Sequence, residues 1–385
     1  MQKSQRDDKI KSMINIEKIK ENAGKIKDPR RTNKGHHLHK LSEMVIIGLC
    51  SRISLGEDYD DMEELGVERE KWLKEELGLK LENGIPDSST FERLFERLNP
   101  QELSKCLIES IEHERAKRGT AAIDGKTICG SGSKEHDAYH VISVFVAENQ
   151  LTLGELKAEN KKSEIKMIPK VLDLVEVEGD IVTIDAAGCY KPTVEKIVSK
   201  KADYVIGLKK NQPKLYEAVE EHFMYTPGKY SPVYTEEKNG GRVEKREYWL
   251  ETDIKWLEQK DEWEGLKSVG MVKTVVERKG VPSFQFRFFI SSLGSIDEFA
   301  YAVRKHWSIE NNLHWSLDVI FREDDSRVKK GSAPLNSNVL SKVALSLLKN
   351  ANISKKVGLE RRRYRAALNT DVLDIILFDS NRAKY

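Results

Sequence analysis

Apolar residues along the chain change their spacing twice, and each change marks a different kind of structure. Between residues 36 and 118 they fall three and four apart. Leu38, Leu41, Val45, Ile46 and Leu49 share one helical face, and further helices are predicted over 60–77 and 101–118. In "IPDSSTFERLFERL", Asp87 and Ser88 can cap a helix whose buried stripe is Phe91, Leu94, Phe95 and Leu98. A short helix after a tight polar turn fits a DNA-reading helix-turn-helix, and equally any small bundle. From residue 121 the texture alternates. Strands are predicted over 121–128, 140–147 and 151–156, then helix 164–177, strand 181–184, helix 191–201 and strand 204–208. Three antiparallel strands, a helix, then strands alternating with helices is the order of a ribonuclease-H-like α/β core, a mixed sheet with helices on both faces. Residues 225–293 depart from that rhythm. They hold β-rich runs such as "REYWLET", "MVKTVVER" and "SFQFRFFIS" and glycine turns at 239–241 and 279–280, which predicts an inserted β subdomain. One long helix is expected over 296–321, with helices to the end.

Composition adds limits. A chain of 385 residues can hold two or three domains. Its net charge of +2 hides an uneven distribution: residues 1–40 carry twelve Lys/Arg against five Asp/Glu, and residues 329–365 carry ten against one. Basic ends point to a polyanion such as nucleic acid, although solvated surface explains lysine runs as well. The first 30 residues read as a polar, Lys-rich arm or frayed helix. Four scattered cysteines (Cys50, Cys106, Cys129, Cys189) without a C-x-x-C pair argue against a zinc ribbon and against a disulfide framework. No secretory signal and no membrane-length apolar run is present, so the expected place is the cytoplasm.

The stretch "AAIDGKTICGSGS" poses the first chemical question, because Gly125-Lys126-Thr127 ends like a phosphate-binding P-loop. That loop needs a glycine five residues before Gly125, where Thr120 stands, so the reading fails. What remains is Asp124 at the end of a strand. Asp185 ends another, and adjacent strands would bring the two carboxylates within reach of one hard divalent cation. A third carboxylate is expected from a helix, and Glu310 in "RKHWSIENNLHWSLDVIFREDDSR" is the candidate, turned inward beside Leu313 and Leu317. His306 and His314 flank it at four residues on either side. The H-E-x-x-H spacing of zinc proteases is absent, so both histidines read as neighbours of the ligands rather than ligands. Trp307 and Trp315 read as core, and Glu323, Asp324 and Asp325 as a solvated acidic run. Lys126, Lys209, Lys210 and Asn211 lie near the expected site and are candidates for phosphate contact. Arg361, Arg362 and Arg363, with Lys355, Lys356 and Arg365, supply basic surface for a further DNA duplex.

Almost the whole chain resembles the H-repeat-associated (ISAs-type) insertion-sequence transposases of the DDE superfamily. The resemblance lies in "GHHLHKLSEMVIIGLCSRISLGEDYDDMEELG", "GIPDSSTFERLFERL", "AIDGKTICGS", "VTIDAAGCY", "YVIGLKKNQP" and "HWSIENNLHWSLDVIFREDDSR". It implies an N-terminal helical associated domain (1–112) and a ribonuclease-H-like catalytic domain (113–385) interrupted by the β insertion. It places the acidic triad on Asp124, Asp185 and Glu310, as ligands of two Mg²⁺ ions for which Mn²⁺ can substitute. It implies double-stranded DNA as partner, both element ends and target, a dimer or higher oligomer on that DNA, and a bacterial, nucleoid-associated location with no membrane. Related enzymes carry a Tyr-Arg-Glu-Lys signature around the third carboxylate. Here His306 holds the Arg place and Leu317 the Lys place, so the phosphate-clamp roles are not carried over to this helix. Three functions remain at this point: a transposase that cuts and joins, a DNA-binding product of a decayed element, and a two-metal nuclease of the same fold.

Overall fold

The computed structural model describes residues 12–30, 38–113, 118–132, 136–158, 163–225, 231–239, 242–278 and 281–378. The start of the Lys-rich arm, His36 and the glycines at 240–241 and 280 lie outside the described residues. A helical body opens the chain: β1 (Ser12–Ile14), α1 (Ile16–Ala23), α2 (Leu41–Ile53), α3 (Tyr59–Glu68), α4 (Glu70–Glu75), α5 (Ser88–Phe95), α6 (Pro100–Glu109) and β2 (Ile111–His113), which pairs antiparallel with β1. Side chains set these starts. Asp58 and Asp61 form a reciprocal cap on α3, Asp87 accepts from the Thr90 N–H, and Asn99-Pro100 opens α6. The helix predicted over 60–77 breaks at Arg69, and the one over 101–118 stops at Glu109 and becomes β2. Leu38 is exposed rather than part of the α2 stripe. α2 is buried on nearly every side because it packs between other helices, so its pattern is less one-faced than its amphipathic reading.

The rest is a mixed α/β structure around one nine-stranded sheet. Its elements are β3 (Thr120–Ile128), β4 (Tyr139–Val146), β5 (Leu151–Ala158), α7 (Glu164–Asp173), β6 (Ile181–Ile184), α8 (Lys191–Ser199), β7 (Asp203–Leu208) and α9 (Pro213–Tyr225). Four long strands follow: β8 (Val233–Asn239), β9 (Arg242–Glu251), β10 (Ser268–Arg278) and β11 (Val281–Ser291). The order across the sheet is β5-β4-β3-β6-β7-β11-β10-β9-β8. β3, β6 and β7 run parallel, and every other pairing is antiparallel. The β-rich stretch therefore extends the same sheet, through β11 on β7, instead of standing apart from it.

Both faces of the sheet are covered. α7, α8 and α9 bury Val171, Val194 and Val219 against Val144, Val182 and Ile206 on one face. On the other, α10 (Ile296–His306) brings Phe299, Ala302 and Val303 against Ile181, Val205 and Val272. The chain then returns to the helical body. α11 (Ala333–Asn350), α12 (Leu359–Leu368) and α13 (Thr370–Phe378) place Leu340, Leu347 and Leu377 in one core with Met44, Phe95 and Leu107. Each such side chain contributes roughly 1.5–3 kcal/mol by burial, so the first and last helices hold each other in place.

The long helix predicted over 296–321 is not regular. α10 ends at His306, and Ile309–His314 and Ser316–Ile320 are π-helical. The backbone N–H of Trp315 reaches the Glu310 carbonyl, five residues back, and that of Phe321 reaches Ser316. The 3.6-residue pattern of apolar positions gives no sign of this widening, because Ile309, Leu313 and Leu317 still land in the core.

Candidate active site

Ile123 of β3 and Ile184 of β6 are register partners in a parallel pair, so Asp124 and Asp185 follow them at the same level. Asp185 comes directly after β6, but Asp124 does not end its strand as expected, because β3 pairs with β4 as far as Ile128. Neighbouring strands lie about 4.8 Å apart. Each aspartate is oriented by backbone. Asp124 Oδ1 accepts from the Gly125 N–H (2.8 Å). Asp185 Oδ1 accepts from Ala187 N–H (3.0 Å) and Gly188 N–H (3.3 Å), capping the short turn Ala186–Gly188. Two glycines make room for this. A Cβ on Gly125 would stand 2.6 Å from His140 Nε2, and one on Gly207 of β7 would stand 2.8 Å from the Ala186 nitrogen. The glycine of the "DGK" motif is thus required by close packing rather than by a phosphate loop.

Glu310 comes from the first π-helical turn. It lines a cavity of about 320 Å³ with Asp185, Lys209 and His306. Its side chain is exposed, not turned inward as Leu313 and Leu317 suggested, because the wider turn buries those leucines while leaving Glu310 at the cavity wall. Burial pushes the Asp124 carboxyl up to about 7, against the Gly125 hydrogen bond, with the negative charges of Asp185, Glu310 and Glu164 adding to the rise. Asp124 therefore feels the charge of both other carboxylates. None of them forms an ion pair with lysine or arginine among the described residues. Nor do three His, Cys, Asp or Glu side chains among the described residues converge into a finished metal-ligand set. The chemistry of the group still fits a hard divalent cation: like-charged oxygen donors, one of them held partly protonated by burial, without a compensating cation.

Both histidines stand beside the carboxylates and are neutral. His306 Nδ1 lies 3.0 Å from Thr183 Oγ1 of β6, and burial followed by Arg287 lowers its pKa to about 4. His314 Nδ1 is 3.6 Å from Asp124 Oδ2, beyond hydrogen-bond length, and its buried Nε2 has no hydrogen-bond partner. Burial, then Lys342 and Lys126, lowers its pKa to about 3.

The basic candidates divide. Lys209 and Lys210 are exposed, Lys209 at the cavity. Asn211 gives its amide N–H to the Ala186 carbonyl (2.9 Å) and so holds the Asp185 turn. Lys126 is not open to DNA: its ammonium pairs with Asp318 (2.6 Å) and Glu323 (2.5 Å) at 10% side-chain exposure. Glu323 is accordingly buried, and also accepts from Asn338, rather than belonging to a solvated run. Arg362 and Arg363 are buried as well. Arg362 donates to the carbonyls of Leu348 and Val357, and Arg363 to those of Arg52 and Ile320. Both satisfy loose carbonyls at helix and segment ends, which leaves Arg361, Lys355, Lys356 and Arg365 as the exposed charges. Composition alone cannot tell these two kinds of arginine apart.

Sequence reasoning also missed parts of the site. His140 Nε2 meets Glu164 (3.1 Å) and its Nδ1 meets Thr127 Oγ1 (3.0 Å), beside Asp124. A second cavity of about 580 Å³ adjoins Glu310 on the side of the long strands. There Arg246, Arg287 and Arg304 stand 4.4, 4.7 and 5.7 Å from the Trp307 ring centre. Trp307 is therefore a wall of the site and Trp315 is exposed; neither is core. Only the family motif at Glu310 could have drawn attention to Trp307. Arg246 and Arg287 come from strands and Arg304 from α10, elements that local sequence does not bring together.

Comparison with known proteins decides the class. The family model described as "Transposase DDE domain" matches residues 115–346, and one described as "DDE_Tnp_1-associated" matches residues 21–111. The chain belongs to the DDE transposase family. A protein of Escherichia coli O157:H7 that carries a transposase name, YncI, is 36% identical over 361 residues, covering 91% of this chain and 92% of that protein. The H repeat-associated protein YhhI of E. coli K12 is 33% identical, covering 95% of this chain and 99% of YhhI. A piggyBac transposase synaptic complex with hairpin DNA aligns over 96% of this chain and 80% of that one, at 10% identity and a TM-score of 0.38. The transposase is an enzyme of DNA cleavage and strand transfer, and its family generally works with divalent metal ions. Among the described residues no helix is long and apolar enough to cross a membrane.

Proposed function

We propose that Asp124, Asp185 and Glu310 are the working carboxylates, holding two Mg²⁺ ions, with Mn²⁺ able to substitute, for cutting and joining DNA strands. The observation that carries this reading is the meeting of two aspartates, level on adjacent parallel strands, with a glutamate that shares a cavity wall with Asp185 and adds to the charge felt by Asp124. None of them is ion-paired to lysine or arginine among the described residues. Bound there, the ions supply activation of an attacking oxygen and charge relief at a leaving one. The chain's own residues orient the carboxylates and carry the DNA. Lys209 and Lys210 lie where a phosphate backbone would pass Asp185, and Arg287 offers a further contact beyond Glu310. Arg246, by contrast, is buried against Glu244 and Glu237, and Arg304 is paired with Glu237. Exposed Arg361, Lys355, Lys356 and Arg365 suit the target duplex.

The finer fold belongs to the same proposal. The order β5-β4-β3-β6-β7, with β3, β6 and β7 parallel, supports a ribonuclease-H-like core to which β8–β11 are an insertion. We assign 1–112 to the associated helical part and 113–385 to the catalytic part. The shared core of the first and last helices makes the two depend on each other for stability. Two element ends must be held at once for paired transfer, so a dimer or higher oligomer on DNA, at the bacterial nucleoid, is the expected working form.

The test uses a pre-cut element end with a free 3′-OH, a target plasmid and Mg²⁺ or Mn²⁺. Covalently joined products are expected from the wild type, and none from Asp124→Asn, Asp185→Asn or Glu310→Gln. Nicking without joining, by protein that holds both DNAs, would leave a nuclease. Full joining by any one variant would remove that residue from the site.

A further inference from the structure

A π-helical turn forfeits the closer packing of an α-helix, so a chain keeps one only where something outside the turn favours it. Around Glu310 that something is visible. The Asn312 carbonyl accepts from two side chains at once, Lys349 Nζ (2.6 Å) and Ser316 Oγ (2.8 Å). Lys349 lies on α11, 37 residues away, and among the described residues its only other hydrogen bond is to Gln150 Oε1 (3.0 Å) in the β4–β5 turn. No carboxylate pairs with it among the described residues. A half-buried ammonium without a counter-ion is a standing cost, and its loss of water accordingly lowers the Lys349 pKa to about 7. Such a group is out of place at the edge of a core unless its donors are used.

We propose that Lys349 is a positioning residue: by holding the Asn312 carbonyl against the β4–β5 turn, it keeps the segment Ile309–His314 in its wide form and so sets where Glu310 and His314 face. The inference rests on Glu310 being a working carboxylate. Leu313, Leu317 and Phe321 fix the inner side of the segment in the core. If the turn closed to an α-helix with those residues in place, one residue would have to be absorbed, rotating Glu310 by about 100° about the axis. Glu310 would then leave the wall it shares with Asp185, and His314 would shift from its place beside Asp124. The other end is held separately, by Arg363 on the Ile320 carbonyl and Lys126 on Asp318. Lys349 thus acts on the half that carries the carboxylate.

The role has a signature that an ordinary core residue lacks. In the full-length protein, Lys349→Met removes a half-buried, unpaired charge, so the unfolding midpoint should hold or rise. Single-turnover cleavage of element-end DNA should nevertheless fall about tenfold or more, with a higher Mn²⁺ concentration for half-maximal rate and unchanged DNA affinity. Ser316→Ala removes the second donor and should move the Mn²⁺ requirement the same way by a smaller factor. It carries the test by itself if Lys349→Met does not fold. Lys349→Met or Ser316→Ala with wild-type rate and wild-type Mn²⁺ dependence, while Glu310→Gln is inactive, would overturn the proposal. Equal loss of stability, DNA binding and cleavage in Lys349→Met, with Ser316→Ala unaffected, would overturn it too, by showing a plain packing role. Wild-type cleavage by Glu310→Gln would instead overturn the assignment of Glu310 beneath it.

Discussion

Asp124 and Asp185 are carried by regular strands, whereas Glu310 is carried by a widened helix. The strands are tied on both sides by ladder hydrogen bonds, and each aspartate is further pinned by a backbone N–H within three residues. The widened helix has no neighbouring strand ladder and is held by its own backbone bonds, by its apolar inner side and by side chains reaching in from α11, α12 and β3. Burial differs as well. Asp124 is shielded enough to raise its pKa to about 7, while Glu310 stands open at the cavity. A site built this way has two fixed donors and one adjustable one. That suits an active centre that must accept first one DNA strand and then another.

Changing the reach of each carboxylate should break or sharpen this contrast most strongly. Asp124→Glu and Asp185→Glu move a carboxylate by about one methylene on a support that cannot yield. Single-turnover cleavage should fall about a hundredfold or more in each. Glu310→Asp, on the adjustable support, should lose only about tenfold. Equal losses at all three positions would mean the helix is as stiff as the strands.

Stability against pH separates the same two halves. The Asp124 pKa is raised from its unfolded value of 3.8 to about 7, so between those values the folded state holds a proton that the unfolded state lacks. Metal-free stability must therefore fall as pH rises through that window and stay reduced above it. Asp124→Asn should match the wild type at pH 4 and exceed it by roughly 3 kcal/mol at pH 8 in chemical denaturation without metal. Glu310→Gln, exposed, should shift the same curve by less than about 0.5 kcal/mol.

A smaller contrast lies in the arginine run. Arg363→Met leaves the Arg52 and Ile320 carbonyls without their donor and should cost about 2 kcal/mol in urea unfolding. Arg361→Gln should stay within about 0.5 kcal/mol of wild type and depress joining more than nicking. If Arg361→Gln lowers both equally, the second duplex binds elsewhere.

How far the sequence could be read follows from the same difference in support. Asp185 was legible because a four-residue apolar run stopping at a charge has one simple meaning in a buried sheet. Asp124 was picked out in the same way after Ala121–Ile123, although β3 continues past it to Ile128. The order from β3 to β7 was legible for the same reason. Glu310 was found through the family motif, but its surroundings were misread. A 3.6-residue pattern matched Leu313 and Leu317 to the core without disclosing the i→i+5 turn, so Glu310 was turned inward and His306 to Phe321 was drawn as one α-helix. Charge was the least legible feature. Lys126, Arg362 and Arg363 look like DNA contacts until the structure shows the carboxylates and carbonyls that occupy them. Arg246, Arg287 and Arg304 meet at Trp307 only because β9, β11 and α10 converge, which no local window contains.

The central claim is that the three carboxylates together hold the divalent cation. Thermal unfolding with and without Mn²⁺ at pH 8 tests it without DNA and without activity. Wild-type protein should show a rise in Tm that saturates with Mn²⁺, because the ion relieves the mutual repulsion at Asp124. Asp124→Asn, Asp185→Asn and Glu310→Gln should each lose most of that rise while remaining folded. The same Mn²⁺-dependent rise in a variant with all three neutralised would place the ion elsewhere and contradict the account.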